Sequence, residues 1–428
     1  MFKNSLFFLS ILSFFLLLSS YARAGVDAEV SYILNTFSFL VCGFLVMWMA
    51  AGFLFLESGL VTTKSVSTIA AKNIGKFAIV SVVFYFIGYN LGYDIPEGGF
   101  IGSLSIWSDS SALETGYSDA SDWFFQALFV CATASIVSGA VAERIKIWPF
   151  FLFSAILGGF IYPIQMSWEW GGGWLDALGF SDFAGSTLVH ACGGSAALAG
   201  VIILGPRIGR FSPTGEPVNM APFAPSSIPL VALGTFILWM GWFGFNGGSQ
   251  LALGSFEDAT AMSKIFMNTQ LAACGGVIAG AVISRLVGGK TDVVMMLNGA
   301  LAGLVSITAE PLMPSPILSI CIGLVGGAIM YYGTSFLNYL KLDDVVGAIP
   351  VHMFAGIFGT MIVPLSNPDA SFGVQLIGVL SVCVFVFVTS YIVISIIKSI
   401  IGLRISEEAE KLGTDKAEVG VVAYSIRD

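Results

Sequence analysis

The two histidines of this chain stand in matching sequence frames, and their side chains could carry out proton-transfer chemistry. His190 lies eight residues after Asp182, and His352 lies eight residues after Asp344. An apolar stretch of sequence follows each histidine. Because a neutral imidazole offers one hydrogen-bond donor and one acceptor, two facing rings suit a small species that does both, and they suit a proton relay. The repeated frame predicts two halves of a duplicated unit that meet at one site.

Structural and metal-binding roles are the alternatives for these residues. The histidines could bridge helices, or they could hold a haem in a membrane redox protein. A metal ion bound by the protein alone is less favoured, because no third ligand is evident near either histidine. Asp182 could cap a helix N-terminus and help to shape an outer cation site. Asp343 and Asp344 occupy the corresponding inner position and are expected to act only as caps.

Aromatic residues and one serine form a second pattern, which could bind a cation. Phe125 and Phe129 are spaced i, i+4, as are Phe245 and Ser249, and Trp170 ends an apolar stretch. Aromatic faces attract cations, and a serine hydroxyl can accept a hydrogen bond that a bare alkali ion cannot give. Any one of these aromatic residues is more often a packing residue, so the interpretation depends on their combination with the histidines.

The composition predicts a membrane protein. The chain has 428 residues, of which 56% are hydrophobic and 11% are charged, whereas a soluble domain carries about 25% charged residues. The 50 glycines suit close helix packing in lipid. The six cysteines lie in apolar runs without a Cys-x-x-Cys pair, and no Walker-type glycine loop is present. The sequence therefore predicts neither an enzyme nor a cofactor, and it gives no sign of nucleic-acid binding.

Eleven apolar segments are long enough to cross a bilayer, although the eighth and tenth are short and glycine-rich. If the N-terminus lies outside, the basic residues, including Lys72 and Lys76, fall on the inner side, and Lys264 is the exception. Acidic residues such as Asp119 and Asp122 then fall in outer loops. The predicted spans are 30–55, 74–94, 121–142, 148–168, 184–205, 227–248, 263–285, 294–309, 315–335, 347–365 and 373–401.

The predicted fold is an all-α polytopic membrane protein with eleven transmembrane helices, an outer N-terminus and an inner C-terminus. Its first ten spans form an inverted repeat of five plus five, with one extra helix, and such repeats place a site near the bilayer midplane. Residues 1–24 are predicted to be a signal peptide that is cleaved, residues 25–402 the transmembrane domain, and residues 403–428 a cytoplasmic tail.

Several motifs resemble those of the ammonium transporter (Amt/Mep/Rh) family, and they occur in the family's order over nearly the whole chain. Together they are highly specific, and Trp170 with Ser249 favours the Amt branch. The matching stretches are Gly139-Ala-Val-Ala-Glu-Arg144, Trp170-Gly-Gly-Gly-Trp174, Asp182-Phe-Ala-Gly to His190, Gly241-Trp-Phe-Gly-Phe-Asn-Gly-Gly-Ser249 and Asp343-Asp to His352.

The resemblance implies a homotrimer with one pore in each subunit, embedded in the lipid bilayer of the plasma or inner membrane. It assigns ammonium recruitment to an outer site made of Phe125, Phe129, Trp170, Ser249 and Asp182.

The resemblance also implies the residues of the pore itself. Phe129 and Phe245 would be stacked rings that close the pore below the recruitment site. His190, His352 and Trp242 would line the narrow hydrophobic channel beyond them. The expected activity is transport in which ammonium loses its proton, ammonia passes, and the histidine pair returns the proton by a separate path, so that uptake is electrogenic.

Two other functions stay open, namely an ammonium sensor with little uptake and an Rh-like channel for the neutral gas. The tail, which includes Glu407 to Asp415 and Glu418 to Tyr424, lacks the middle of the family's tail pattern. The loop from Arg207 to Met220 is where a PII-type regulatory protein would dock on the cytoplasmic face.

Overall fold

The computed structural model describes residues 27–212 and 218–424, so the predicted signal peptide lies outside the described residues. In this part of the chain the regular secondary structure is helical, apart from one isolated bridge between Ile145 and Arg404. The helices are α1 (Ala28–Leu60), α2 (Val66–Tyr93), α3 (Asp119–Ala140), α4 (Ile147–Ser167), α5 (Ser186–Leu204), α6 (Ile228–Gly248), α7 (Phe256–Gly288), α8 (Val293–Ile307), α9 (Pro316–Tyr339), α10 (Ile349–Leu365) and α11 (Phe372–Ile401).

Each predicted apolar segment overlaps one of these helices. Among the described residues, nine helices are long and apolar enough to cross a membrane, and α8 and α10 are shorter. These two are the segments that the sequence marks as short and glycine-rich. A further short helix, α12 (Glu407–Leu412), lies in the predicted tail.

Hydroxyl caps explain where several helices begin. A serine side chain accepts a hydrogen bond from the backbone N–H three residues later, which satisfies one of the unpaired donors of the first helical turn. This arrangement starts α6, α7, α9 and α11, with the caps Ser227, Ser255, Ser315 and Ser371.

Glycines bring α1 and α6, the first helices of the two predicted halves, into close contact. A Cβ atom at Gly234 would lie 2.3 Å from the backbone nitrogen of Leu56. A Cβ atom at Gly52 would lie 2.9 Å from the backbone nitrogen of Leu238. Because membrane helices gain little from hydrophobic burial against each other, such close backbone packing is a main source of their association.

Helices α5 and α10 begin with wide, π-type turns, Ser186–Ala191 and Ile349–Phe354. Each turn closely follows a glycine in the left-handed region, with φ of 101° at Gly185 and 80° at Gly347. Turns of this kind are frequent at functional sites. In this protein the two π-type turns carry His190 and His352, and they contact each other.

Candidate functional site

The two histidine rings meet in the interior of the protein. His190 Nδ1 and His352 Nδ1 lie 3.2 Å apart, and the ring centroids are 5.2 Å apart with an interplanar angle of 23°. His190 is 1% exposed and His352 is 4% exposed. One ring donates this hydrogen bond and the other accepts it. Because the rings pack directly on each other, there is no space between them for a haem.

Aromatic rings surround the histidine pair. His190 stacks on Trp242 with 4.9 Å between centroids, and Phe53 lies 6.2 Å from His352. Trp242 is held in place because its Nε1 donates a hydrogen bond to Thr308 Oγ1 at 2.8 Å. His190 Nε2 is buried and has no hydrogen-bond partner among the described residues. This nitrogen is therefore available to a small polar molecule that enters the apolar space.

Two stacked phenylalanine rings lie next to the histidine pair. The centroids of Phe129 and Phe245 are 3.9 Å apart with an interplanar angle of 20°. Phe245 also lies 5.3 Å from the ring of His190. Phe129 is 1% exposed and Phe245 is 0% exposed, so both rings of the stack are buried beside the histidine pair.

A cavity of about 340 Å³ open to water lies on the other side of the stacked rings. It brings together Phe125, Phe129, Trp170 and Ser249, which are four of the five predicted recruitment residues. Ser249 Oγ donates to the backbone oxygen of Phe245 at 2.9 Å, so its own lone pairs remain free to accept. The other lining residues are Tyr89, Tyr93, Tyr117, Asp122, Gln126, Phe183 and Leu251.

Asp182, the fifth predicted recruitment residue, is fully buried behind the cavity. Its Oδ1 accepts from the N–H groups of Gly185 and Ser186, and its Oδ2 accepts from those of Thr187 and Leu188, at 2.7 to 3.1 Å. Burial raises the pKa of Asp182 to about 6, and the four backbone donors oppose that shift.

The backbone of Asp182 also reaches the cavity wall. Its carbonyl oxygen accepts a hydrogen bond from Trp170 Nε1 at 3.0 Å. Asp182 therefore caps α5 and orients the indole of Trp170, while its carboxylate is occupied by backbone groups.

Asp343 and Asp344, which the sequence predicts to be helix caps, have different roles in the structure. Asp344 accepts from the N–H groups of Gly347 and Ile349 at 3.1 and 2.7 Å, so the prediction of a cap is confirmed for Asp344. It is wrong for Asp343, which forms a two-pronged ion pair with Arg207 at 2.8 and 2.9 Å. Burial opposes ionisation, but the hydrogen bonds and charge of Arg207 prevail and lower the pKa of Asp343 to about 2.

A narrow cavity continues from His352 toward the loop that carries Asp344. About 20 Å³ of it is open to water, which is room for about one molecule. Its lining includes Phe53, Glu57, Asn298 and Val346. This cavity is thus far smaller than the cavity on the opposite side of the stacked rings.

Three buried charged side chains lie beside this narrow end, and sequence reasoning missed them. Glu57, Lys72 and Lys76 are each 1% exposed. Ser138 Oγ donates to Glu57 Oε2 at 2.7 Å, and Lys72 Nζ donates to the backbone oxygen of Ser138 at 2.8 Å. The lysines count toward the inner-side charge in the sequence, but the structure places both inside α2. Their i, i+4 spacing in an apolar helix is the signal that could have found them.

The described part of the chain can be searched for a set of metal-binding side chains. No group of three or more histidine, cysteine or acidic residues there could hold a metal ion. The site consists of aromatic rings, two imidazoles, hydroxyls and one carboxylate in the cavity wall. Such a set can bind a small cation by π faces and hydrogen bonds, and it can pass a proton between nitrogen atoms.

Comparisons with known proteins agree with one another. The sequence profile of the Ammonium Transporter Family matches residues 37–424. The "Ammonium transporter Amt2" of Archaeoglobus fulgidus is 39% identical over 90% of this chain and 87% of that protein. A structure titled "Sensor Amt Protein" is 31% identical, with a TM-score of 0.86, over 92% of this chain and all of the other. The crystal structure of Candida albicans Mep2 is 27% identical, with a TM-score of 0.80, over 93% of this chain and 92% of the other.

Proposed function

This chain belongs to the ammonium transporter family, and we propose that it carries ammonium across the membrane by the route just described. One observation carries this proposal, namely that the outer cavity, the stacked rings of Phe129 and Phe245, and the His190–His352 pair lie in direct succession. Each stage has a chemistry that suits one step in the passage of ammonium.

Recruitment takes place in the outer cavity. The faces of Phe125, Phe129 and Trp170 attract the cation, and Ser249 Oγ accepts one of its hydrogen bonds. Asp182 supports this site by holding Trp170 through its backbone oxygen. Potassium and sodium have no hydrogen to give to Ser249, so the hydroxyl favours ammonium over them.

Deprotonation follows at the stacked rings. Taking an ion out of water costs several kcal/mol, whereas neutral ammonia carries no such penalty. Phe129 and Phe245 must part to let a molecule pass, because their rings are in contact. We therefore place the loss of the proton on the outer side of this gate, where water in the outer cavity accepts it before the histidine pair relays it.

The histidine pair receives ammonia beyond the gate. The unpartnered His190 Nε2 can exchange a hydrogen bond with it, while Trp242 forms the apolar wall. The hydrogen bond between the rings of His190 and His352 provides a route on which the released proton crosses separately. Uptake of ammonia and a proton together is electrogenic.

The membrane architecture of the proposal has eleven crossings, with the N-terminus outside and the C-terminus inside. The contact of α1 with α6, and the paired Asp–His segments of α5 and α10, support an inverted repeat. We further propose a homotrimer in the plasma or inner membrane, made from residues 25–402 with a cytoplasmic tail from residue 403. Cleavage of residues 1–24 and a PII-type regulator at residues 207–220 stay predictions.

Ammonium-evoked current in proteoliposomes tests this function, with sodium and potassium as control ions. We expect a current with ammonium that is altered in the His190→Ala and His352→Ala variants. Alkalinisation inside the vesicles without current would instead indicate neutral ammonia passage of the Rh type. If ammonium produces neither response in folded protein, the transport proposal fails and the sensor hypothesis replaces it.

A further inference from the structure

We propose that Asp122 is the anionic residue of the outer recruitment site, where it concentrates ammonium at the mouth of the pore. This inference rests on the proposed function and adds to it an acidic residue at the outer end of the third predicted span. In the structure Asp122 is 6% exposed, lies in α3, and lines the same cavity as Phe125 and Trp170.

Asp122 lies on the same face of α3 as the aromatic residues of the proposed substrate route. Asp122, Phe125, Gln126 and Phe129 are spaced i, i+3, i+4 and i+7, so they share one face of the helix. At a rise of about 1.5 Å per residue, Asp122 lies about 4.5 Å outward of Phe125 and about 10 Å outward of Phe129. A cation that approaches the gate from outside therefore passes the carboxylate first.

Hydrogen bonds hold the carboxylate of Asp122 without neutralising it. Tyr89 Oη donates to Oδ2, and Gln126 Nε2 donates to Oδ1 at 3.2 Å. Both donors are uncharged, and in the described parts of the chain no lysine or arginine forms an ion pair with Asp122. Because an unpaired buried charge is costly, a carboxylate kept in this state indicates that a cation visits it.

A hydroxyl next to the carboxylate strengthens this interpretation. Tyr93 Oη is buried, has no hydrogen-bond partner among the described residues, and belongs to a side chain that lines the same cavity. Its lone pairs can accept a hydrogen bond from ammonium, as those of Ser249 can. The outer end of the cavity thus combines a negative charge with an unused acceptor.

A purely structural role explains Asp122 less well. An acidic residue near a helix start often caps backbone N–H groups. The side chain of Asp122 instead accepts from two side chains, those of Tyr89 and Gln126. Asp119, three residues earlier, is the acid that bonds the neighbouring loop, through the N–H and Oγ of Ser110.

The expected size of the effect follows from the distance between Asp122 and the ring site. At about 10 Å and an effective dielectric constant between about 20 and 80, a unit charge changes cation occupancy roughly twofold to fifteenfold. A carboxylate attracts any small cation, so Asp122 raises local concentration, while Trp170 and Ser249 select ammonium.

Ammonium-evoked current tests the proposal in the full-length protein in proteoliposomes. We expect Asp122→Asn to raise the half-saturating ammonium concentration about three- to tenfold and to change the maximum current less than twofold. Its half-saturation should also depend less on ionic strength than in the wild type, because the screened charge is gone. Asp119→Asn is the matched control, since this acid lies outside the cavity lining, and it should leave both quantities unchanged.

A second variant keeps the proposal falsifiable if Asp122→Asn does not fold. Gln126→Lys places a positive charge beside Asp122, and Gln126→Met is its uncharged control. We expect the lysine variant, but not the methionine variant, to raise half-saturation at least threefold. If Asp122→Asn or Gln126→Lys lowers only the maximum current, or leaves half-saturation and its salt dependence unchanged, Asp122 is a structural residue and the proposal is wrong.

Thermal unfolding in detergent separates this inference from the transport proposal. Ammonium chloride should raise the melting temperature of the wild type more than sodium chloride does, because a ligand that binds the folded state stabilises it. Asp122→Asn should need a higher ammonium concentration for the same shift. That result would support the binding role even if the wild type carried no current, whereas identical titrations of the two proteins would overturn it.

Discussion

Asp182 and Asp344 begin equivalent helices in the two predicted halves, yet different neighbours support them. The carboxylate of Asp182 is fully buried and binds four successive backbone N–H groups, those of residues 185 to 188. Asp344 is partly exposed and accepts from Gly347 and Ile349. The outer histidine helix is therefore held mainly by its own cap.

The inner helix start depends on ion pairs from distant parts of the chain. Arg207 binds Asp343, the residue next to the inner cap, and it also pairs with Glu143. Arg144 Nη2 donates to the backbone oxygen of Asp343 at 2.7 Å. The same local motif can thus be stabilised by local backbone capping in one half and by long-range charge pairing in the other. The variants below test this difference, from the largest expected effect to the smallest.

Arg207→Met should cause the largest loss of stability, and the loss should fall on the inner half. The substitution removes Arg207 from the buried carboxylates of Asp343 and Glu143 and leaves Asp343 with the longer ion pair to Arg210 at 3.4 Å, which costs about 3–5 kcal/mol. Thermal unfolding in detergent measures it. Lys411→Ala, which removes an exposed ion pair with Glu407, is the control and should leave the melting temperature unchanged. Equal melting temperatures for the wild type and Arg207→Met would contradict the ion-pair account.

Asp182→Ala should lower the free energy of unfolding more than Asp344→Ala does. The outer variant leaves four buried N–H groups without an acceptor, and we expect a loss of about 3 kcal/mol together with a loss of transport. The inner variant should cost about 1 kcal/mol, because Asp344 is partly exposed and water can replace it. The measurement is the melting temperature of each variant and its current per folded protein. If the two variants lose the same amount, the comparison of the two caps is wrong.

Acid should weaken the ion pair between Asp343 and Arg207, which supports the start of the inner helix. The pKa of Asp343 is about 2 in the folded protein against an ordinary value of 3.8, since Arg207 overcomes the opposing effect of burial. A lowered folded-state pKa adds stability that is fully present above pH 4 and is lost as the pH falls toward 2, here up to about 2 kcal/mol. Melting temperatures measured between pH 5 and pH 2 should fall more steeply for the wild type than for Asp343→Asn. Parallel curves would contradict the prediction.

Substitutions of the two histidines should change ion selectivity more than stability. In this they should differ from substitutions of the aspartates and Arg207. We expect His190→Asp and His352→Asp to keep ammonium current while the potassium-to-ammonium current ratio rises about tenfold, or about 1.4 kcal/mol. The double alanine variant should transport with weaker coupling to the proton. Currents in ammonium and potassium, recorded with a pH-sensitive dye inside the vesicles, measure both effects. Normal transport with unchanged selectivity in the double alanine variant would show that the relay is wrong.

Local sequence was enough for the class of protein, the position of each apolar segment and the pairing of the histidines. Hydropathy, caps and the eight-residue spacing from aspartate to histidine act within one segment, so they can be read without a fold. The two short, glycine-rich segments correspond to α8 and α10, the shorter helices.

Only the tertiary structure decided which partners and cavities surround the charged residues. Asp343 pairs with Arg207, 136 positions away, although the sequence assigns it to a cap. Asp122 lies in the wall of the outer cavity, and Glu57, Lys72 and Lys76 are buried near its narrow inner counterpart. A charged residue gives the same signal in the sequence whether it lies in a loop, at a helix end or in a cavity wall. Its role depends on which distant side chains pack around it, because burial and partners set the cost of the charge.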